Sequence, residues 1–269
     1  MGPPRYPRRV PELPEVESYR RLAETAVDRS IASVATPDAW YLKSGTTSPT
    51  LRRLLVGHRI TAARRRGKLL LLDTDGGPVV GIRFGMTGML TVDGASSVGQ
   101  LISVPRRDNP RWDRCTLHFD DGGAMAVRDP RRLGGIVVDP SLTHLGPDAL
   151  SITRGQLASA LGGSAAPLKA RLLDQARVAG IGNLIADEVL WRAGLSPERP
   201  AGSLSPADVG RLHRQVGRTL ALLMERGGSH LGDLMEERRP GGRCPKDGEE
   251  LTRSTIGGRT TWWCPTHQQ

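Results

Sequence analysis

The chain has 269 residues and a formal net charge of +10, which is enough length for two domains with their own hydrophobic cores. No apolar run approaches the roughly 18 residues of a membrane-spanning helix, and no apolar signal core follows the basic start. We therefore expect a cytoplasmic protein with no membrane partner. Arginine supplies most of the positive charge, which suits an anionic polymer as partner. The codon usage of a GC-rich genome would give the same bias, so the charge alone decides little.

The first half of the chain is predicted to contain one helix followed by strands. Residues 14–28 (PEVESYRRLAETAVD) have apolar side chains at helical spacing, and Pro14 and Glu15 suit a first turn. Cys115 lies in a strand-like run and is interpreted as a packed small hydrophobic residue rather than a reactive thiol. The strand-like runs are 69–73, 79–84, 89–92, 115–119, 124–128 and 135–139.

The second half of the chain changes to helical periodicity. Residues 139–150 carry turn signals and predict a linker. The glycines of VAGIGN permit a tight turn between the first two of the predicted helices, which cover 168–175, 184–193 and 206–226. The tail from residue 241 combines turns, short strands and candidate metal ligands. The layout is that of an α+β protein with a β-rich half, a helical half and a small C-terminal module.

Two pairs of candidate metal ligands lie in the tail, each spaced i and i+3: Cys244 with Asp247, and Cys264 with His267. Sulfur and nitrogen donors in two such pairs suit one tetrahedral structural zinc ion. Asp247 is the weakest of the four, because carboxylates are less common ligands of structural zinc. The alternative is that Asp247 is a turn residue and the module forms without metal, or with three ligands and water.

Three further features are suited to binding phosphate. Arg259, in the GGRTT stretch at a predicted hairpin tip, can reach a phosphate or a groove. The helix that opens at Asn183 presents free backbone N–H groups, which bind anions readily. Lys68 follows a cationic run and precedes an apolar strand. Each feature also has a plainer interpretation: a solvated turn arginine, an ordinary helical hairpin and a solvated strand end.

Six motifs occur in a fixed order along the chain: PELPEVE, RRGK, GMTG, DPRRLGG, LLDQ…AGIGN…DE, and a tail with GGR and CP. Together they resemble the formamidopyrimidine-DNA glycosylase and endonuclease VIII family of base-excision repair enzymes. Each motif alone is weak evidence, whereas the ordered set covers nearly the whole chain from Pro11.

The resemblance implies a fold with three parts. These are an N-terminal β-sandwich catalytic domain over 11–140, a helix-two-turn-helix DNA-binding domain over 150–238 and a C-terminal zinc-finger β-hairpin over 241–269. It also implies one structural zinc ion and damaged double-stranded DNA as the partner. We expect a monomer that acts at the bacterial nucleoid.

The resemblance further implies a bifunctional enzyme. It would excise oxidised bases, either formamidopyrimidines or oxidised pyrimidines, and then break the strand as an AP lyase. In the family an N-terminal proline attacks C1′ of the damaged nucleotide and forms a Schiff base, while the next glutamate moves protons. These roles fall to Pro11 and Glu12. Lys68 corresponds to the family lysine that contacts the lesion and its phosphate.

The family's DNA contacts correspond to five more residues. Asn183 and Arg259 match phosphate ligands. Met86 and Arg131 match side chains that fill the gap left by the extruded base. The third filling position is Leu133, where the family usually has an aromatic residue; leucine can still wedge between bases.

The chain departs from the family pattern at two further places. The finger usually has four cysteines, whereas Asp247 and His267 stand at two of the ligand positions here. The segment 228–244 is short and lacks the usual basic lead-in to the finger. Members that cap 8-oxoguanine have a longer loop there, so the short segment argues against 8-oxoguanine as a favoured substrate.

Ten residues precede Pro11, and they bear directly on the chemistry. The nitrogen of an internal proline is an amide whose lone pair is delocalised, so it cannot form a Schiff base. Residue 10 is valine, and a GTG codon can start bacterial translation as methionine, which would give Met-PELPEVE. We therefore expect residues 1–10 to be a non-native extension.

The alternative is a real basic arm that blocks the amine of Pro11. Lys68 would then substitute as nucleophile, or the protein would bind lesions and abasic sites without chemistry. A purely structural nucleic-acid protein is disfavoured, because such a protein has no need of the Pro11–Glu12 pair or of Lys68.

Overall fold

A computed structural model of the chain describes residues 10–97 and 109–269. Of the expected extension over residues 1–10, only Val10 lies within the described residues. The chain divides into two compact units. One holds Pro11 and Glu15–Ser141, and the other holds Glu12–Pro14 and Leu142–Gln269. Within the described ranges, no helix is both long and apolar enough to span a membrane.

Most of the described elements in the first half of the chain are strands, as the sequence predicts. All six predicted strands are present within two residues of their expected bounds, and the helix over 48–55 and the strands over 31–35 and 60–66 are additional elements. The helices are α1 (Leu13–Glu24) and α2 (Ser48–Leu55). The strands are β1 (Ile31–Ala35), β2 (Ile60–Arg66), β3 (Leu69–Thr74), β4 (Val79–Arg83), β5 (Met89–Val92), β6 (Asp113–Phe119), β7 (Ala124–Arg128) and β8 (Gly135–Val138).

These strands form two antiparallel four-stranded sheets, with the orders β1-β6-β7-β5 and β2-β3-β4-β8. One hydrophobic core takes side chains from both sheets, such as Leu117 and Val127 from the first and Leu72 and Ile82 from the second. Two sheets that share one apolar core are a β-sandwich, so the expected fold of this unit is confirmed.

Helix α1 packs on this core with the face that the sequence predicts. Tyr19 is buried, and its ring centroid lies 4.4 Å from that of Phe84. The helix ends at Glu24 rather than at residue 28. Asp28 adopts a left-handed backbone conformation (φ 68°), and its N–H donates to the Ile60 carbonyl at 2.8 Å. A residue in this conformation cannot continue a right-handed helix.

The second unit contains the helices and the C-terminal hairpin. Its elements are α3 (Arg154–Leu161), α4 (Leu168–Leu173), α5 (Asn183–Ala193), α6 (Pro206–Arg226), β9 (Thr252–Ile256) and β10 (Arg259–Trp263). Helix α3 was not predicted, because RGQLASAL has only a short apolar stripe. Helix α4 ends two residues before the predicted residue 175, because the side chain of Gln175 binds the turn instead, accepting from Gly180 N–H at 2.9 Å.

A buried ionic cluster joins α4, α5 and the hairpin. We call Lys169, Asp187 and Arg238 the Lys169 cluster. The Lys169 ammonium lies 2.6 Å from Asp187 Oδ1, and Arg238 lies 2.7 Å from Asp187 Oδ2. Lys169 also donates to Thr261 Oγ1 at 2.7 Å. The side chains of Lys169 and Asp187 are at most 1% exposed, so the charges compensate each other away from water.

Candidate functional site

The carboxylate of Glu12 lies at the start of α5, within the second unit. Its Oε1 accepts from the Leu184 N–H at 2.8 Å, and its Oε2 accepts from the Ile185 N–H at 3.1 Å. A helix start carries unpaired N–H groups and partial positive charge, so it holds a carboxylate well. Glu12 is 1% exposed. Its two oxygens are therefore fixed in one orientation.

Gly182 makes this approach possible. A Cβ atom at position 182 would lie 2.1 Å from the Glu12 carboxyl carbon, so a side chain there would displace this carboxylate. The last glycine of the AGIGN motif is therefore needed for the close approach of a carboxylate. The sequence marks it as a turn residue but does not indicate what it faces.

The expectation of free N–H groups at this helix start is wrong for Leu184 and Ile185, because Glu12 accepts from both. Asn183, at the first position of α5, donates from Nδ2 to the Thr260 carbonyl at 3.1 Å. Its Oδ1 is buried and has no hydrogen-bond partner among the described residues. Thr260 directly follows Arg259, so the structure links two of the expected phosphate ligands through one backbone carbonyl.

The hairpin turn presents Arg259 at its tip. Gly257 and Gly258 both have positive φ (58° and 70°), as a tight two-residue hairpin requires. Arg259 then opens β10 opposite Ile256 and is exposed. The predicted placement of an exposed arginine at the end of a two-stranded ribbon is confirmed.

Two loops of the first unit carry the three expected gap-filling residues. We call residues 85–88 the methionine loop and residues 130–134 the arginine loop. Their backbones touch: Gly85 has φ 58°, and a Cβ there would lie 2.4 Å from the Leu133 carbonyl carbon. Met86 is half-buried, whereas Leu133 is 46% exposed. The structure thus brings Met86, Arg131 and Leu133 onto adjoining loops.

Lys68 lies in the two-residue turn between β2 and β3 and is half-buried. The turn is fixed by its neighbours: Arg65 donates to the Gly67 carbonyl at 2.9 Å and to Glu17 at 3.0 Å. These contacts, with burial, set the environment of Glu17, whose pKa is lowered because hydrogen bonds from Arg20 and Arg65 outweigh its desolvation. The turn therefore holds Lys68 at a defined place on the sheet edge.

Three of the four candidate zinc ligands form a group in the tail. The donor atoms of Cys244, Asp247 and Cys264 lie within 4.8 Å of one another, and Cys264 Sγ is 3.3 Å from Asp247 Oδ2. Burial raises the pKa of the Cys264 thiol to about 11. Two thiolates and a carboxylate are donors that zinc accepts, so these residues fit the metal.

His267 does not join that group. Its Nε2 lies 2.8 Å from the Trp191 carbonyl and 3.0 Å from Lys246 Nζ. The expectation of a four-residue ligand set is therefore corrected to a set of three, with the imidazole engaged at the end of α5. The odd thiol, Cys115, is packed in the sandwich core, and burial raises its pKa to about 12.

Comparison with known proteins gives the family. Residues 10–136 match the formamidopyrimidine-DNA glycosylase N-terminal domain, and residues 145–234 match the formamidopyrimidine-DNA glycosylase H2TH domain. The chain therefore belongs to the formamidopyrimidine-DNA glycosylase family. It is a DNA-binding repair enzyme, a bifunctional DNA glycosylase and AP lyase.

Individual relatives support this family assignment. The formamidopyrimidine-DNA glycosylase of Paracoccus denitrificans is 34% identical over 288 residues, covering 97% of this chain and 100% of the relative. That of Xanthomonas campestris pv. campestris (strain B100) is 36% identical over 287 residues with the same coverage. The Lactococcus lactis enzyme in complex with DNA containing N7-benzyl-Fapy-dG is 26% identical, with a TM-score of 0.81 over 96% of this chain and 100% of that one. A complex of the Lactococcus lactis enzyme with DNA containing an abasic site has the same identity, score and coverage.

Proposed function

We propose that the reaction runs through the Pro11–Glu12 pair. The secondary amine of an N-terminal Pro11 attacks C1′ of the damaged nucleotide, the C1′–base bond breaks, and the base leaves with a proton. The C1′–O4′ bond then breaks, O4′ takes a proton, and a Schiff base forms between Pro11 and C1′. This Schiff base makes C2′ acidic, so loss of a C2′ proton expels the 3′ phosphate and breaks the strand. Hydrolysis then frees Pro11. Glu12 carries protons in these steps. The observation that carries the proposal is the buried Glu12 carboxylate, fixed on two N–H groups beside Pro11 in sequence.

This chemistry requires Pro11 to be the mature N-terminus, since only then is its nitrogen an amine. We propose that translation starts at Val10 and that the initiator methionine is removed. The match to the family model, which begins at residue 10, supports this start.

A chain that begins at Pro11 is expected to be trapped on abasic-site DNA by borohydride, and a chain that begins at Gly2 is not. Gel electrophoresis of the trapped complex measures the difference. Pro11→Gly in the shorter chain replaces the secondary amine with a primary amine and serves as a control for N-terminal reactivity. Mass spectrometry of natively produced, fully active protein gives the natural start, and a mature Gly2 would contradict the mechanism.

The substrate is proposed to be an oxidised base in duplex DNA. Solved Lactococcus lactis complexes hold DNA with a benzylated formamidopyrimidine and with an oxidized pyrimidine. Lys68 would contact the lesion and its phosphate, Asn183 and Arg259 would hold phosphates, and Met86, Arg131 and Leu133 would fill the gap. We further propose that the protein acts in the cytoplasm and that one monomer binds each lesion. The molar mass of the DNA complex, measured by light scattering, tests whether one monomer is bound.

The short segment 228–244 is expected to disfavour 8-oxoguanine relative to formamidopyrimidines and oxidised pyrimidines. Its backbone is committed elsewhere: the Glu188 carboxylate accepts from Asp233 N–H and Leu234 N–H, both at 3.0 Å. These hydrogen bonds hold residues 233 and 234 on α5, so this part of the segment is not available to cover a base. Single-turnover excision from a panel of lesions in duplex and single-stranded DNA measures the preference, and equal rates for 8-oxoguanine would contradict it.

We also propose that Cys244, Asp247 and Cys264 hold one structural zinc ion, with water completing the site. Zinc would stabilise the finger and take no part in the reaction. Asp247→Ala is expected to lower the zinc retained against a chelator, measured by elemental analysis. Glu249→Ala, a nearby exposed carboxylate, is the control. Full zinc retention by Asp247→Ala would leave Asp247 as a turn residue.

A further inference from the structure

A buried carboxylate lies between the methionine loop and the arginine loop. Asp129 lies between the end of β7 and the start of the arginine loop, and it is 0% exposed. Its Oδ1 accepts from Thr87 Oγ1 at 2.5 Å and from the Arg131 N–H at 3.2 Å. Its Oδ2 accepts from the Gly134 N–H at 2.8 Å. One side chain therefore binds both loops at once.

The contacts fall next to the gap-filling residues. Thr87 directly follows Met86, Arg131 is itself one of the three, and Gly134 directly follows Leu133. Since a buried donor left without an acceptor is costly, each of these three donors restricts its loop to the observed arrangement.

The arginine loop needs such support because its backbone is strained. Arg132 has φ 57°, a conformation that residues other than glycine and asparagine seldom adopt. Its N–H donates to the Asp129 carbonyl at 3.3 Å, and its guanidinium binds both oxygens of Asp38 at 2.6 and 2.7 Å. The strained turn points the exposed Leu133 away from the sandwich core, so Leu133 has little packing of its own to fix it.

We propose that Asp129 is a positioning residue that makes the two loops one unit, so that Met86, Arg131 and Leu133 enter the DNA together. This inference rests on the proposed gap-filling function of those three side chains. Asp129 does not touch the reacting atoms. It acts on base extrusion, which only duplex DNA requires.

The chemistry of the cluster requires a carboxylate. Asp129 accepts from these three donors, the Tyr41 hydroxyl also faces it, and its carboxylate supplies only acceptor oxygens. Asparagine has the same shape but turns an NH₂ group toward Thr87 and Arg131, or toward Gly134. Either orientation leaves a buried donor facing a donor. Asp129→Asn is therefore expected to loosen at least one of the loops.

The test compares two substrates in single-turnover experiments with the Pro11-initiated chain. One is a formamidopyrimidine in duplex DNA, and the other is a preformed abasic site in single-stranded DNA, which has no stack to enter. Asp129→Asn is expected to lower the first rate by about tenfold to a hundredfold, the range that small misplacements produce, and to leave the second unchanged. Thr87→Val, which removes only the hydroxyl donor, is expected to shift the ratio in the same direction. Thr91→Val, a buried threonine on β5 that bonds a strand carbonyl at 3.4 Å, is the matched control.

A second measurement separates positioning from folding. In the parent enzyme the effects of Met86→Ala and Leu133→Ala on the duplex rate are expected to be non-additive, and in the Asp129→Asn background they are expected to add. If Asp129→Asn does not fold, the same cycle in the Thr87→Val background decides the matter. Equal losses on both substrates, or unchanged coupling, would overturn the inference. If Met86→Ala and Leu133→Ala leave the duplex rate intact, the gap-filling function itself fails; if they lower it while Asp129→Asn and Thr87→Val do not, only the inference fails.

Discussion

Glu12→Gln in a chain that begins at Pro11 is expected to slow base excision by about 10²–10⁴-fold, the usual contribution of a positioned acid or base. Glutamine keeps the size of the side chain and one acceptor oxygen for the Leu184 or Ile185 N–H. It cannot carry the proton. Single-turnover excision from duplex DNA measures the rate, and DNA affinity is expected to be unchanged because Glu12 is buried.

The matched control is Glu15→Gln, three residues further along the chain, in the first turn of α1 and also buried. Similar losses in Glu12→Gln and Glu15→Gln would contradict the assigned role of Glu12, because they would indicate a general effect of charge or stability. Loss of DNA affinity in Glu12→Gln would point instead to a disturbed α5.

Asp187→Asn is expected to lower the free energy of unfolding by about 3–5 kcal/mol, because it leaves the Lys169 charge buried without its counterion. Urea denaturation followed by circular dichroism measures the loss. Asp73→Asn is the control. Asp73 pairs with Arg64 at the surface, where the partner is 51% exposed, so its loss is expected to stay within about 1 kcal/mol.

A double variant tests whether the pair itself is responsible. Lys169→Met removes the cation, so adding it to Asp187→Asn is expected to cost less than the sum of the two single losses. Additive losses would mean that the two side chains contribute separately. A small loss in Asp187→Asn would mean that Lys169 is held as a neutral amine, the direction in which burial already shifts its pKa.

The sequence predicts the elements whose patterns are strong and local. The leucines of β3 and the helical spacing of α6 are of this kind, and both elements lie where they are expected. Strand β2 (ITAARRR) was not predicted because three of its seven residues are arginines on a partly exposed edge. Its pairing with β3, which fixes it as a strand, is a tertiary contact that a local pattern does not contain.

In the candidate site, too, local sequence patterns are predictable and tertiary contacts are not. The order of the motifs predicts the roles of Pro11, Glu12, Met86 and Arg131. It does not predict the contacts that fix their positions. Glu12 binds an N–H that is 172 residues away in sequence, and nothing near either residue announces that contact. Asp129 stands within the DPRRLGG motif, yet its importance comes from Thr87 on another loop. His267 matches the ligand spacing of a finger, and the carbonyl that engages it belongs to α5.

Helix α5 has an oppositely charged side chain at each end of its dipole. The Glu12 carboxylate lies on its first turn, and the Lys246 ammonium approaches the Trp191 and Arg192 carbonyls at its last turn, at 3.4 and 3.3 Å. The helix has eleven residues, so its ends lie about 16 Å apart. Its length also fixes the rotation of one end relative to the other about the helix axis. One residue inserted into it would turn its two ends by about 100° relative to each other. Glu12 and the finger contacts would then face in different directions, so the length of α5 is set by the need to keep both in register.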